Sequence, residues 1–220
     1  MTPYYSDGSV TIYHGDCRDL LPRLPRPDML IADPPYGISL RTDYEATYGK
    51  PKAISAKRHN HAPVYGDDEP FDPSHLLGFP NLFLFGANYY RDRLPNEGGW
   101  LLWDKVCSNE VKRLASWSDG EMAWTNCFRG VRIFRHAWNG FSRSSENSYH
   151  VHPTQKPVVL MRWIIDRYGP DADLIIDPYM GSGPTLRAAK DCGRKAIGIE
   201  YEEQYCEIAA KRMGQEVLAL

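Results

Sequence analysis

The sequence predicts an α/β fold: a mostly parallel sheet covered by helices. Short β-rich runs alternate along the chain with amphipathic helical patterns, as crossover units require. The length of 220 residues suits one domain with an elaboration, at about 150 residues per domain. Hydrophobic residues at 42% and charged residues at 25% are ordinary for a globular protein, which excludes disordered and fibrous classes.

The elements follow in order. Ser9–His14 reads as a strand, and Asp16–Leu24 as a short helix stopped by prolines. Met29–Ala32 is fully apolar, as a buried central strand would be, and it breaks off at Asp33-Pro34-Pro35-Tyr36. Residues 37–72 lack periodicity and are rich in Gly, Pro, Lys and His, which predicts a long functional, mobile loop. Asn81–Gly86, Trp100–Trp103, Met122–Asn126 and Val131–Ala137 read as further strands. Gln155–Tyr168 is a strong helix in which Val159, Trp163 and Ile164 share a face. Leu174–Ile176 is a strand, and Ser182 is placed to cap the helix after it, with Pro184 in the first turn and Gly193 at the end. Lys195–Ile199 is a strand. The last helix runs from about Glu202 to Met213, with acids first and Lys211 and Arg212 last, as the macrodipole prefers. Trp103 and Trp163 are the expected core tryptophans.

No apolar run is long enough to span a bilayer, and the N-terminus has no basic start or apolar stretch, so a cytoplasmic protein without a membrane role is expected. Five scattered cysteines with no C-x-x-C fit a reducing compartment and no zinc site. Net charge is −2, but its distribution is uneven. Residues 37–66 carry five basic against two acidic side chains, and residues 105–143 carry seven against three, so the remainder holds about −9. Two basic stretches on an acidic body suggest a local polyanion-binding surface.

Three motifs carry chemistry. In Asp177-Pro-Tyr-Met-Gly-Ser-Gly-Pro-Thr185, Gly181 and Gly183 allow a tight strand-to-helix turn and Ser182 offers a donor. Glu200, at the end of the next strand, stands where such a fold grips ribose hydroxyls. The turn is too short for a P-loop, so a nucleoside-containing cofactor is favoured over a nucleoside triphosphate. At Asp33-Pro34-Pro35-Tyr36, the prolines stiffen the backbone so that a carbonyl and the Asp33 carboxylate converge on one small polar group. An amine with two N–H donors fits that pair, and Tyr36 supplies a flat face for a base. The third motif is His152-Pro-Thr-Gln-Lys-Pro157. Asp67–Asp72, with four acids in six residues, reads as an exposed turn or helix cap, and His59-Asn-His61 as a solvated loop.

These residues resemble the β class of S-adenosylmethionine-dependent amino-methyltransferases acting on DNA bases. Asp33–Tyr36 looks like the catalytic motif, Asp177–Gly183 like the cofactor loop, and His152–Pro157 like the segment before the cofactor strand. The order, catalytic motif first, is that of this permuted class. The resemblance implies a single-domain, permuted Rossmann-like methyltransferase fold over residues 1–220, with a reversed hairpin near one edge. It implies S-adenosyl-L-methionine as cofactor, bound by Asp16, Asp33, His152, Thr154, Lys156, Asp177, Gly181, Ser182, Gly183, Thr185 and Glu200. Asp33, Pro34 and Tyr36 would be catalytic, and double-stranded DNA the partner. With Tyr36, the residues expected to touch DNA are Arg41, Lys50, Lys52, Lys57 and Arg58. The expected reaction is N6 methylation of a flipped-out adenine, with N4 methylation of cytosine, or a binding protein without catalysis, as alternatives. Pro184 departs from the usual Thr, and only eleven residues separate Gly140 from His152, where the family often inserts a recognition region. A short or relaxed target sequence is therefore expected. A homodimer and a nuclease partner are left open.

Overall fold

A computed structural model describes residues 1–40, 64–107, 118–138 and 155–215. Among these, nine strands form one sheet in the order β1-β2-β9-β8-β3-β4-β6-β5-β7. They are β1 (Tyr5–Ser6), β2 (Val10–His14), β3 (Met29–Ala32), β4 (Leu82–Phe85), β5 (Gly99–Asp104), β6 (Gly120–Thr125), β7 (Gly130–Arg135), β8 (Leu174–Asp177) and β9 (Lys195–Glu200). The helices are α1 (Cys17–Leu20), α2 (Val158–Tyr168), α3 (Pro184–Asp191) and α4 (Glu203–Met213).

The sheet is mostly parallel. β6 is the reversed strand, pairing antiparallel with both β4 and β5, and β1 is antiparallel to β2. The other pairings, including β7 on β5, are parallel. The expected reversed hairpin is thus β5–β6, with β6 placed between β4 and β5.

Strand periodicity sorts the core onto two faces. Met29 and Ile31 join Leu160, Met161, Ile164, Ile165, Leu186 and Ala209 under α2, α3 and α4. Leu30 and Ala32 face the other way, against Leu76, Leu84, Tyr90, Trp124 and Ile199. All four side chains of β3 are buried, as its unbroken apolar run predicted. α2 starts at Val158 rather than Gln155 and turns Leu160, Met161, Ile164 and Ile165 inward. Trp163 is consequently half-buried at the rim of that cluster, packed on Phe134, while Trp103 is fully buried as expected. Ser182 does not cap α3. Gly183, at φ 76°, is the capping residue, and the Ser182 hydroxyl faces Gln155 Oε1 at 3.3 Å instead.

What positions a site is the centre of the sheet. β3 and β8 lie side by side, with Met29 opposite Ile175 and Leu30 opposite Ile176. From β3 the sheet continues to β4, and from β8 it continues the opposite way to β9. Strand order therefore reverses between them, and ligands in open α/β sheets settle beyond the carboxyl ends at such a point.

Candidate active site

Both Asp-Pro exits, Asp33-Pro34 and Asp177-Pro178, open into one cleft of about 1350 Å³. Asp16, Tyr36, Lys156, Gly181, Ser182, Thr185 and Glu200 line the same space. Residues far apart in sequence thus converge because β3 and β8 are neighbours. His152, Thr154, Arg41, Lys50, Lys52, Lys57 and Arg58 lie outside the described residues, as do His59 and His61.

On the β8–β9 side, Asp177 is buried and accepts from the Tyr179 backbone N–H at 3.0 Å, with Thr185 also bonded to it. Burial pushes its carboxyl up to about 7. Glu200, ending β9, accepts from the Gly181 N–H at 2.9 Å and the Glu202 N–H at 2.8 Å, which ties the glycine turn to the strand end. Its carboxyl is also raised, chiefly by burial. Asp16 caps α1, accepting from the Arg18 N–H at 2.8 Å. Tyr201 and Tyr65 stack at the rim, their ring centres 4.0 Å apart. The Tyr179 hydroxyl meets His75 Nε2 at 3.0 Å, which anchors the aromatic ring of the glycine turn from outside.

On the β3 side, the Tyr36 hydroxyl donates to Asp33 Oδ1 at 2.6 Å, so the motif braces its own carboxylate. The Tyr36 ring lies on the bare backbone of Gly86, where a Cβ would stand 2.0 Å from Cε1. Its neighbour Tyr89 stacks on it at 5.3 Å and is itself exposed.

Lys156 is 2% exposed and its ammonium sits on Asp33 Oδ2, with Glu121 Oε2 at 3.0 Å. Lys105 pairs with Glu121 in turn. Four charges, two of each sign, thus alternate along the lining of the cleft. Burial opposes charge on Lys156, but Asp33 and Glu121 hold its ammonium above the usual lysine range. Burial likewise opposes ionisation of Glu121, yet Lys156 and Lys105 bring it down to about 2. Asp33 is raised by burial, with Glu121 adding to the effect and Lys156 opposing it.

Lys156 was expected at the cofactor; the structure puts it on the Asp33 carboxylate. Glu121 was not among the expected site residues, although an acid opening an otherwise apolar strand is a detectable signal. Asp67 is a second surprise. Expected in an exposed turn, it is 5% exposed and bonded to the backbone just after Tyr36.

Comparison with known proteins fits this geometry. The DNA methylase family model N6_N4_Mtase matches residues 116–211. The chain is 28% identical over 252 residues to the Type II methyltransferase M2.LlaDCHI of Lactococcus lactis subsp. cremoris, covering 97% of this chain and 92% of that protein. The M1.HpyAVI–SAM complex has a similar fold, with TM-score 0.53 and 21% identity over 94% of this chain and all of that one. The cytosine-N4-specific PvuII DNA methyltransferase is similar at TM-score 0.60 and 15% identity, covering 99% of this chain and 90% of that one. Motifs, sequence likeness and sheet topology agree in their resemblance to the S-adenosylmethionine-dependent amino-methyltransferases of the N6/N4 DNA methylase type.

Proposed function

We propose that this chain transfers a methyl group from S-adenosyl-L-methionine to the exocyclic N6 amine of adenine, in a base flipped out of duplex DNA. The observation that carries the reading is the convergence of Asp33 and Tyr36 with Asp177 and Glu200 in one cleft where strand order reverses. The donor set fits a nucleoside bearing a cation: a glycine turn, a carboxylate at a strand end, and a buried carboxyl held by the Tyr179 N–H and Thr185. Glu200 would hold the ribose, and Asp177 the amino-acid ammonium. Gly181, Ser182 and Thr185 would form the cradle, with Gly183 shaping the turn from behind against Ala209, and Asp16 would reach the adenine end.

The cofactor supplies an activated methyl group on a sulfonium. An exocyclic amine is a poor nucleophile because its lone pair is delocalised into the ring. Asp33 and the Pro34 carbonyl, accepting its two hydrogens, would favour the pyramidal nitrogen that attacks in line. They would also stabilise the positive charge growing there, an effect aimed at the transition state. The methyl group would pass to the amine, leaving a neutral thioether, and Asp33 would be placed to take the proton that the methylated amine loses. Tyr36 is covered by Gly86 and by Tyr89, so the exposed ring of Tyr89, stacked on it in the same cleft, would offer the face that a flipped base requires.

A cytosine amine presents the same hydrogens, and the similar PvuII enzyme is cytosine-N4-specific. In the family that this chain resembles, Asp rather than Ser at the position of Asp33 goes more often with adenine, and the reading follows that resemblance. Incubating the protein with labelled cofactor and duplex DNA, then digesting to nucleosides, separates the two products. N6-methyladenine is expected; N4-methylcytosine overturns the base assignment, and no transfer overturns the reading.

Two outcomes test the cofactor half. Glu200→Ala should weaken cofactor binding by about 1.5–3 kcal/mol, the scale of charge-assisted hydrogen bonds. Unchanged affinity by calorimetry in the folded variant removes Glu200 from the site. The second concerns pH. Asp177 must be ionised to hold a cation, and its carboxyl sits at about 7. Affinity should therefore rise between pH 6 and 8, by up to about tenfold per unit on the acid side. A proton should be released on binding at pH 6. Without cofactor the sign reverses: the folded chain holds a proton that the unfolded chain gives up, so this group costs stability as pH rises from about 4 to 7. Calorimetry in two buffers of different ionisation enthalpy measures the proton, and a pH-independent affinity takes Asp177 out of the role.

A further inference from the structure

The backbone leaving Tyr36 has nowhere in the sheet to place its N–H groups. Pro34 and Pro35 have none, so Tyr36 carries the first donor after Asp33. From there, five consecutive N–H groups end on one residue. Tyr36, Gly37 and Ile38 donate to Asp67 Oδ1 at 2.9, 2.8 and 3.3 Å, and Leu40 donates to Oδ2 at 2.7 Å. Ser39 donates to the Asp67 backbone carbonyl at 2.7 Å. Gly37 and Ser39 adopt positive φ, 76° and 49°, which curls the chain into a concave nest of donors around the carboxylate. A Cβ at Gly37 would meet the Glu69 carbonyl oxygen at 2.5 Å, so the two segments are packed as closely as backbone allows.

We infer that Asp67 is a positioning residue: its carboxylate sets the backbone of Tyr36, and through the Tyr36 hydroxyl the orientation of Asp33. The inference rests on the methyl-transfer reading and adds a residue to it. The chain of contacts is direct. The carboxylate holds the Tyr36 N–H, the Tyr36 hydroxyl holds Asp33 Oδ1, and Asp33 faces the cleft. Charge is essential, because a neutral acceptor of the same shape satisfies converging donors less well and Asn would turn an N–H₂ towards one of them. Asp67 is remote from Asp177, Gly181 and Glu200 in its bonding, so the cofactor side should not register its loss.

The test is Asp67→Asn in the full chain, beside wild type and Asp67→Glu, with cofactor affinity and single-turnover DNA methylation both measured. Asp67→Asn should methylate at least about 20-fold more slowly at saturating cofactor and DNA, while cofactor affinity stays within about threefold. Asp67→Glu should restore little, because the longer carboxylate cannot sit in the same nest. Backbone amide resonances of Tyr36, Gly37, Ile38 and Leu40 should move upfield in Asp67→Asn, a readout needing neither activity nor DNA. A variant methylating at the wild-type rate overturns the inference, as does a parallel loss of cofactor affinity, which means a general structural role. Wild type that methylates no DNA overturns the reading beneath it, and the amide shifts then still decide whether Asp67 sets the backbone of Tyr36.

Discussion

Replacing Asp33 with Ala should lower single-turnover methylation by at least about 100-fold, the usual scale for losing a preorganised transition-state contact. Cofactor affinity should stay within a few fold. The separation follows from the sheet: Asp33 leaves β3, whereas Asp177 and Glu200 end β8 and β9. The fold should tolerate the change, because Lys156 keeps Glu121 at 3.0 Å as a counter-ion. Asp33→Asn sharpens the result. It preserves the volume and one acceptor but removes the charge that opposes the growing cation, so it should remain slow. Single-turnover rates at saturating cofactor and DNA, beside calorimetric affinities, provide the comparison. An Asn variant near the wild-type rate would reduce Asp33 to a hydrogen-bond acceptor without an electrostatic role. A collapse of cofactor affinity in the Ala variant would place Asp33 in the cofactor site instead.

The parts of the site legible in the sequence are those written in local chain. An apolar run ending at Asp-Pro is both a strand and the point where it stops, so Asp33 and Asp177 announce their own positions. A glycine turn followed by an acid one strand later does the same for Glu200. What adjacent letters do not carry is which strands become neighbours. Lys156 reaches Asp33 because α2 begins beside the β3 exit, and Glu121 joins them only because β6 inserts between β4 and β5. Asp67 was misread for a related reason. Acidic clusters are usually solvated, and nothing in Asp67–Asp72 shows that the chain after Tyr36 will offer a ring of unpaired donors. The positive φ values at Gly37 and Ser39, which create that ring, emerge only once the two segments are packed. Helix faces show the milder version of the limit: α2 was recognised, but its buried stripe is rotated from the one its periodicity suggested.

Lys156→Met should cost about 2–4 kcal/mol of stability, because it leaves the half-buried Asp33 carboxylate without its buried partner. Met preserves much of the length and packing, so the loss reports charge rather than cavity. Lys105 continues to neutralise Glu121, so the stranded group is Asp33. That assignment sets the pH dependence. Without Lys156, the one neighbour that lowers Asp33 most is gone and burial raises its carboxyl further, so the folded form binds the extra proton and the deficit grows as pH rises above the ordinary carboxylate range. In wild type, Glu121, held at about 2, contributes stability that is present above the ordinary carboxylate range and lost on acidification. The two stability curves should therefore converge as pH falls and diverge as it rises. Adding Asp33→Asn to Lys156→Met should recover part of the loss at pH 8, since it removes the unpaired charge itself. Denaturant melts at several pH values measure all three proteins. The same experiment separates two roles for Lys156. A lysine that served only to hold the cofactor would weaken cofactor binding when replaced and leave the unliganded melt nearly unmoved at every pH. A lysine that keeps Asp33 ionised and in place should destabilise the unliganded protein in the pH-dependent manner described, and slow methylation even at saturating cofactor.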